Sequence, residues 1–147
     1  MLPYQTKFSK LSGTSYREVY KNAMVVFDQE RRKTRRKPYI RSAYFNKRKV
    51  FFDYFWPHLW KSYNHKDRIR RLRYFEASLE VLRYARHVTT KVNPNNKEEL
   101  LHRFAGLTKE KDVFYVQVKE NKRTGKLHFI SCFPEKHNKI SSAMWGI

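Results

Sequence analysis

Residues 114–133, FYVQVKENKRTGKLHFISCF, decide the fold. Strand-forming residues run from Val113 to Val118 and again from Leu127 to Phe133. Between them Asn121-Lys122-Arg123-Thr124-Gly125 is a short polar loop, ending in the residue that takes positive φ without strain. The stretch therefore predicts a β-hairpin. Alternate residues on a strand share a face, so Tyr115, Gln117 and Lys119 line one side while Phe114, Val116 and Val118 line the other. The second strand leaves two registers open. A five-residue loop sets Ser131 on the Tyr115/Lys119 face. A four-residue loop sets His128 there instead, because a one-residue slip exchanges faces.

Working outward from the hairpin, the upstream chain reads as helical. Ser15-Tyr16-Arg17-Glu18 has capping-box spacing, and Val19, Ala23, Val26 and Phe27 follow with helical period. A helix is expected over 16–34, ending before Pro38, which pushes its predecessor out of the α region. A second is expected over 46–56, where Val50, Phe51, Tyr54 and Phe55 share a face, with Pro57 opening a new turn. A third is expected over 66–87, capped by Asn64 with Asp67 in its first turn. A loop at 87–96 precedes LLHRFAGL, residues 100–107, which reads as a strand or a helix end. The preferred reading is a short helix at 96–99 passing into a strand by Arg103.

These elements predict a single α+β domain, with N-terminal helices packed on a small C-terminal antiparallel β-sheet. Residues 1–90 form a basic helical region, 98–134 the sheet, and 135–147 a loose or groove-bound tail. Three strands are legible and no repeat is visible. At 147 residues a core forms without staples. The other sheet face is expected to be open to a ligand.

Charge then narrows the partner. The chain holds 33 Lys+Arg against 13 Asp+Glu, net +20. A field of this size implies a polyanion: RNA, DNA or ribosome. Residues 31–49 concentrate it, with Arg31, Arg32, Lys33, Arg35, Arg36, Lys37, Arg41, Lys47, Arg48 and Lys49 and no acid. Tyr39, Tyr44 and Phe45 are interleaved, so the track can hold phosphates and stack bases. Arg68, Arg70, Arg71 and Arg73 circle the first turns of the third helix, and some must face solvent or a partner.

Other classes are disfavoured. Cys132 is the single cysteine, which excludes an internal disulfide and a cysteine zinc cluster and suggests a reducing, cytoplasmic setting. No run of 18 apolar residues exists, and the first 30 residues lack a signal-type apolar region, so no membrane association is expected. The six histidines have no paired ligand spacing, and no carboxylate cluster stands beside them, so no metal or cofactor is expected. No phosphate-cradling glycine loop is present.

Metal-free phosphate chemistry remains. RNA carries its own nucleophile in the 2′-OH. An enzyme must then take that proton, protonate the leaving 5′-oxygen and stabilise a charged phosphorane. His102-Arg103, Tyr115, Gln117, Lys119, His128 and Ser131 supply suitable groups close together in sequence.

LHRFAG, then FYVQVK, then the final strand Ile130-Ser131-Cys132-Phe133-Pro134 resemble the C-terminal sheet of the ribonuclease superfamily that joins barnase, EndoU, the RNA-cleaving colicins and RelE. The resemblance covers residues 100–134. It implies a metal-independent endoribonuclease, often a toxin neutralised by an antitoxin or immunity protein, which the charge suggests would be acidic. Carried over, it makes His102 general acid or base. Lys119 and Arg103 become phosphorane stabilisers, and Ser131 a phosphate ligand. Tyr115, Gln117 and His128 are secondary candidates. The rival reading is a non-catalytic RNA-, ribosome- or DNA-binding protein of a phage or mobile element. Convergence of His102, Arg103, Lys119 and Ser131 separates the two.

Overall fold

The computed structural model describes residues 2–135, so most of the expected tail lies outside the described residues. In chain order the elements are β1 (Tyr4–Gln5), α1 (Tyr16–Arg31), β2 (Tyr39–Ser42), β3 (Arg48–Phe51), α2 (Phe55–Ser62) and α3 (His65–Leu72), followed by α4 (Phe75–Tyr84), β4 (Thr89–Asn93), β5 (Asn96–Leu107), β6 (Val113–Asn121) and β7 (Leu127–Pro134). The strands join in one sheet, ordered β1-β5-β6-β7-β3-β2, with β4 also paired to β5.

This corrects the expected architecture. The fold is α+β, but the sheet has seven strands and is mixed, and three of those strands precede residue 52. β1 pairs β5 in parallel at Gly106 and Leu107, and β3 pairs β7 in parallel at Leu127 and His128. In chain order the helices therefore fall between strands of one sheet, not ahead of it.

Local chemistry explains each departure. The helix expected over 46–56 is instead a β2–β3 hairpin followed by α2. Asn46 and Lys47 end the five-residue loop 43–47 in the left-handed region, with φ of 56° and 65°. Lys47 N–H donates to Ser42 O at 2.7 Å and closes the turn. Pro57 lies in the first turn of α2, where its missing N–H costs little.

The expected helix over 66–87 breaks at Arg73–Tyr74. Leu11 N–H donates to Arg73 O at 2.8 Å, and the Arg73 guanidinium donates to Leu11 O and Gly13 O at 3.0 and 2.8 Å. A carbonyl and side chain committed to the N-terminal loop cannot continue one straight helix. The expected 96–99 helix is the start of β5, because Asn93 Oδ1 accepts from Asn95 N–H and turns the chain as an Asx turn. α1 matches its reading at the start, with Ser15 Oγ accepting from Glu18 N–H at 3.3 Å, but it ends at Arg31, not 34.

One sheet face carries the core. Phe104, Phe114, Val116, Val118 and Phe129 meet Phe55, Leu72, Phe75 and Leu82 from the helices. Phe52, Phe55, Phe75, Phe104, Phe114 and Phe129 are each under 2% exposed, and each such burial contributes about 1.5–3 kcal/mol. Gly106 lets α4 approach: a Cβ there would stand 2.6 Å from the Phe114 ring and 2.9 Å from Val81.

Candidate functional site

The opposite sheet face, expected to be open, is largely buried: Gln117, Ser131 and His128 are 0%, 3% and 8% exposed, yet it collects the chemistry. Residues directly across a strand pair share a face. Lys119 is opposite His128, Gln117 opposite Ser131, and Tyr115 opposite Phe133. Both His128 and Ser131 therefore join the Tyr115/Gln117/Lys119 face. A β-bulge permits this: the register shifts between Gln117 and Val118, so Ser131 and Phe129 pair with consecutive residues and Ile130 is the extra one. The two register alternatives exclude each other only in a regular strand. β5 extends the rows, with Arg103 beside Gln117 and Leu101 beside Lys119.

His128 is the best-positioned imidazole. Its Nδ1 lies 2.8 Å from Asp53 Oδ1, leaving Nε2 without a hydrogen-bond partner among the described residues. Tyr54 stacks on the ring at 4.0 Å and 14°, and Phe51 stands 6.2 Å away. Lys37 Nζ lies 3.3 Å from the same aspartate. Burial pushes the Asp53 carboxyl up, but its bonds and charge contacts with His128 and Lys37 outweigh that and hold it below its usual range. The second strand partner, Lys119, has its Nζ 5.7 Å from the Tyr54 ring and 3.6 Å from Glu99.

The adjacent row is cationic too. Arg71 reaches from α3 to donate to Ser131 Oγ at 2.9 Å. Its guanidinium lies 3.6 Å over Tyr63 and 5.1 Å over Phe133, and burial lowers its pKa while it remains a cation. Arg103 lies 5.0 Å over the Tyr115 ring. Tyr115 OH donates to Glu135 at 2.9 Å, and burial, then that carboxylate, raises its pKa.

His102 is elsewhere. It pairs with Val118 on the core-bearing face and is 5% exposed. Its ring nitrogens lie 2.8 Å from Thr90 Oγ1 and 2.7 Å from Glu120 Oε1, and its ring packs at 4.9 Å against Phe45. Burial lowers its pKa and outweighs the Glu120 contact, with Arg48 adding to the depression. The expected quartet is not assembled: Arg103, Lys119 and Ser131 share a face that His102 does not. Neighbours on a strand point opposite ways, so His102 and Arg103 could not both belong to it.

The basic track divides likewise. Arg71 is buried, half-buried Arg73 is bonded to the N-terminal loop, and Arg48 pairs with Glu120 at 3.1 Å. Arg31 pairs with Asp28, Arg70 with Asp67, and Arg68 lies 4.0 Å over Trp60. Arg32, Arg35, Arg36, Arg41, Lys47 and Lys49 are exposed, as is Lys33 beside Glu30. A groove of about 590 Å³ opens between the 33–37 loop and the β2–β3 hairpin, with Tyr39, Lys49 and Phe51 on its floor. It adjoins His128 through Phe51 and through the Lys37–Asp53 pair.

Sequence reasoning missed Asp53 and Tyr54 as site residues, and it named Arg71 only as a nucleic-acid-binding cation, not as the donor that holds Ser131. The one available signal was an acid set among aromatics in FFDYFW, residues 51–56. Among the described residues no cluster of three potential metal-ligating side chains occurs, and no helix is long and apolar enough to cross a membrane. No family model, curated protein or solved structure matches the chain.

Proposed function

We propose that the protein is a metal-independent endoribonuclease whose acid–base residue is His128, oriented by Asp53. The observation that carries this reading is the Asp53–His128 pair, standing on one face with Lys119, Arg103 and Ser131. An aspartate on Nδ1 selects the tautomer that leaves Nε2 as a proton acceptor. In the proposed step Nε2 takes the 2′-OH proton and the 2′-oxygen attacks phosphorus. The P–O5′ bond breaks and the leaving oxygen takes a proton from the Lys119 ammonium. The products are a 2′,3′-cyclic phosphate end and a 5′-hydroxyl end. Arg103 stabilises the phosphorane charge, and Ser131, held by Arg71, donates to a phosphate oxygen.

A cytoplasmic, toxin-like role fits the buried thiol of Cys132 and the charge, with free or ribosome-bound RNA as substrate and an acidic antitoxin or immunity protein as inhibitor. The second reading is a non-catalytic RNA-binding protein. Internal pairing of Lys119 with Glu99 and of Ser131 with Arg71 favours it, since both groups already have partners. Total RNA incubated in EDTA separates the two. Cleavage to 2′,3′-cyclic phosphate ends, lost in His128→Ala and Lys119→Ala, is expected. Tight binding with intact RNA, with and without translating ribosomes, refutes the nuclease.

A further inference from the structure

The row Lys119–His128 does not stop at β7. His128 is registered with Phe51 on β3, and Phe51 with Tyr39 on β2. Tyr39 stands two strand spacings from His128, roughly 9.5 Å. Arg41 is opposite Lys49 in the same hairpin, so two rings and two cations share its face. The Tyr39 and Phe51 rings meet at 6.0 Å and 69°, with Lys49 Nζ 4.7 Å and Arg41 5.5 Å from the Tyr39 ring. The wall opposite this floor is the loop carrying Lys33, Arg35, Arg36 and Lys37, and among the described residues no carboxylate lines the groove. Its size is that of a small-ligand site.

We infer that this groove is a nucleotide subsite for single-stranded RNA: it stacks one base on Tyr39 and Phe51, beside His128, and holds that nucleotide's phosphate with Lys49 and the 33–37 loop. The inference rests on the RNA reading above but not on cleavage. Aromatic rings beside cations accept any base by its π-face, and a duplex, whose bases are already stacked, cannot present one. The substrate class is therefore unpaired RNA of relaxed sequence preference.

The test uses a 2′-O-methyl RNA decamer, which lacks the nucleophile, with 2-aminopurine walked along it. Wild-type protein should bind it and quench the fluorophore at one position. Tyr39→Leu should weaken binding roughly 5- to 150-fold and abolish the quench, while Tyr39→Phe keeps both. Lys49→Gln should reduce the salt slope of binding by about one. Binding by Tyr39→Leu within twofold of wild type, or equal binding of the duplex, overturns the subsite even if unmodified RNA is cut. A Tyr39-dependent quench in a protein that cuts no RNA supports the subsite and removes the nuclease alone.

Discussion

Replacing His102 should damage the fold before it touches any chemistry. The imidazole is buried, bonded to Thr90 and Glu120, and packed on Phe45. His102→Ala removes a hydrogen bond to a carboxylate, about 1.5–3 kcal/mol, and leaves a ring-sized void. Glu120 keeps Arg48 as a partner, so the total stays near the cost of truncating a buried ring, about 3–5 kcal/mol. With a urea slope of about 2 kcal/mol per M, the midpoint falls by about 1.5–2.5 M.

His102→Phe keeps the bulk and should lose about 1–3 kcal/mol through the unsatisfied Thr90 and Glu120. It also isolates the proton linkage. Unfolded, the imidazole titrates near pH 6.5; folded, it titrates lower. Below pH 6.5 the unfolded chain therefore binds more protons and stability falls, a slope that His102→Phe should flatten. Urea unfolding at several pH values reads both effects. A midpoint shift under about 0.5 M, joined to lost RNA cleavage, would refute the structural assignment.

Further consequences follow from named contacts. His128→Ala should reduce cleavage by about 10²–10⁴-fold with little change in decamer binding, measured by single-turnover kinetics and anisotropy. Asp53→Asn should lower the single-turnover rate and alter its pH profile while melting stays near wild type; an unchanged profile would argue against orientation by Asp53. Gly106→Ala should destabilise by about 1–3 kcal/mol, because the added methyl meets the buried Phe114 ring and Val81. Arg73→Ala should cost about 1.5–3 kcal/mol by untying the α3–α4 junction from Leu11 and Gly13, and denaturant midpoints check it.

What could be read in advance follows the range of the forces. The β6–β7 hairpin and the Ser15 cap were legible because alternation, turn chemistry and capping act within a few residues. β2 and β3 were not, because their five-residue loop 43–47 reaches the left-handed region at Asn46 and Lys47 with no glycine to announce it, and Val50–Phe55 mimic a helical face. The break between α3 and α4 depends on a loop more than sixty residues upstream, and no local pattern reports that. Lys119, Arg103 and Ser131 do share a face, but the sequence left the register of Ser131 open. His102 does not join them, and its adjacency to Arg103 already forbade it. The bulge at Ile130 is invisible in an apolar run, yet it alone brings His128 and Ser131 to one side.

The parallel pairing of β3 with β7 also sets a timetable for biosynthesis. Asp53 and Tyr54 leave the ribosome some 75 residues before His128, roughly 4–15 s at ordinary elongation rates. β1 waits longer still for Gly106 and Leu107. Through that interval the nascent chain already holds every cation of the groove, through which it would bind RNA. The imidazole that would cut it has not been translated. On the proposed reading, a chain terminated before β7 would be sticky towards RNA but harmless to it, and the capacity to cut would come only with His128 on β7.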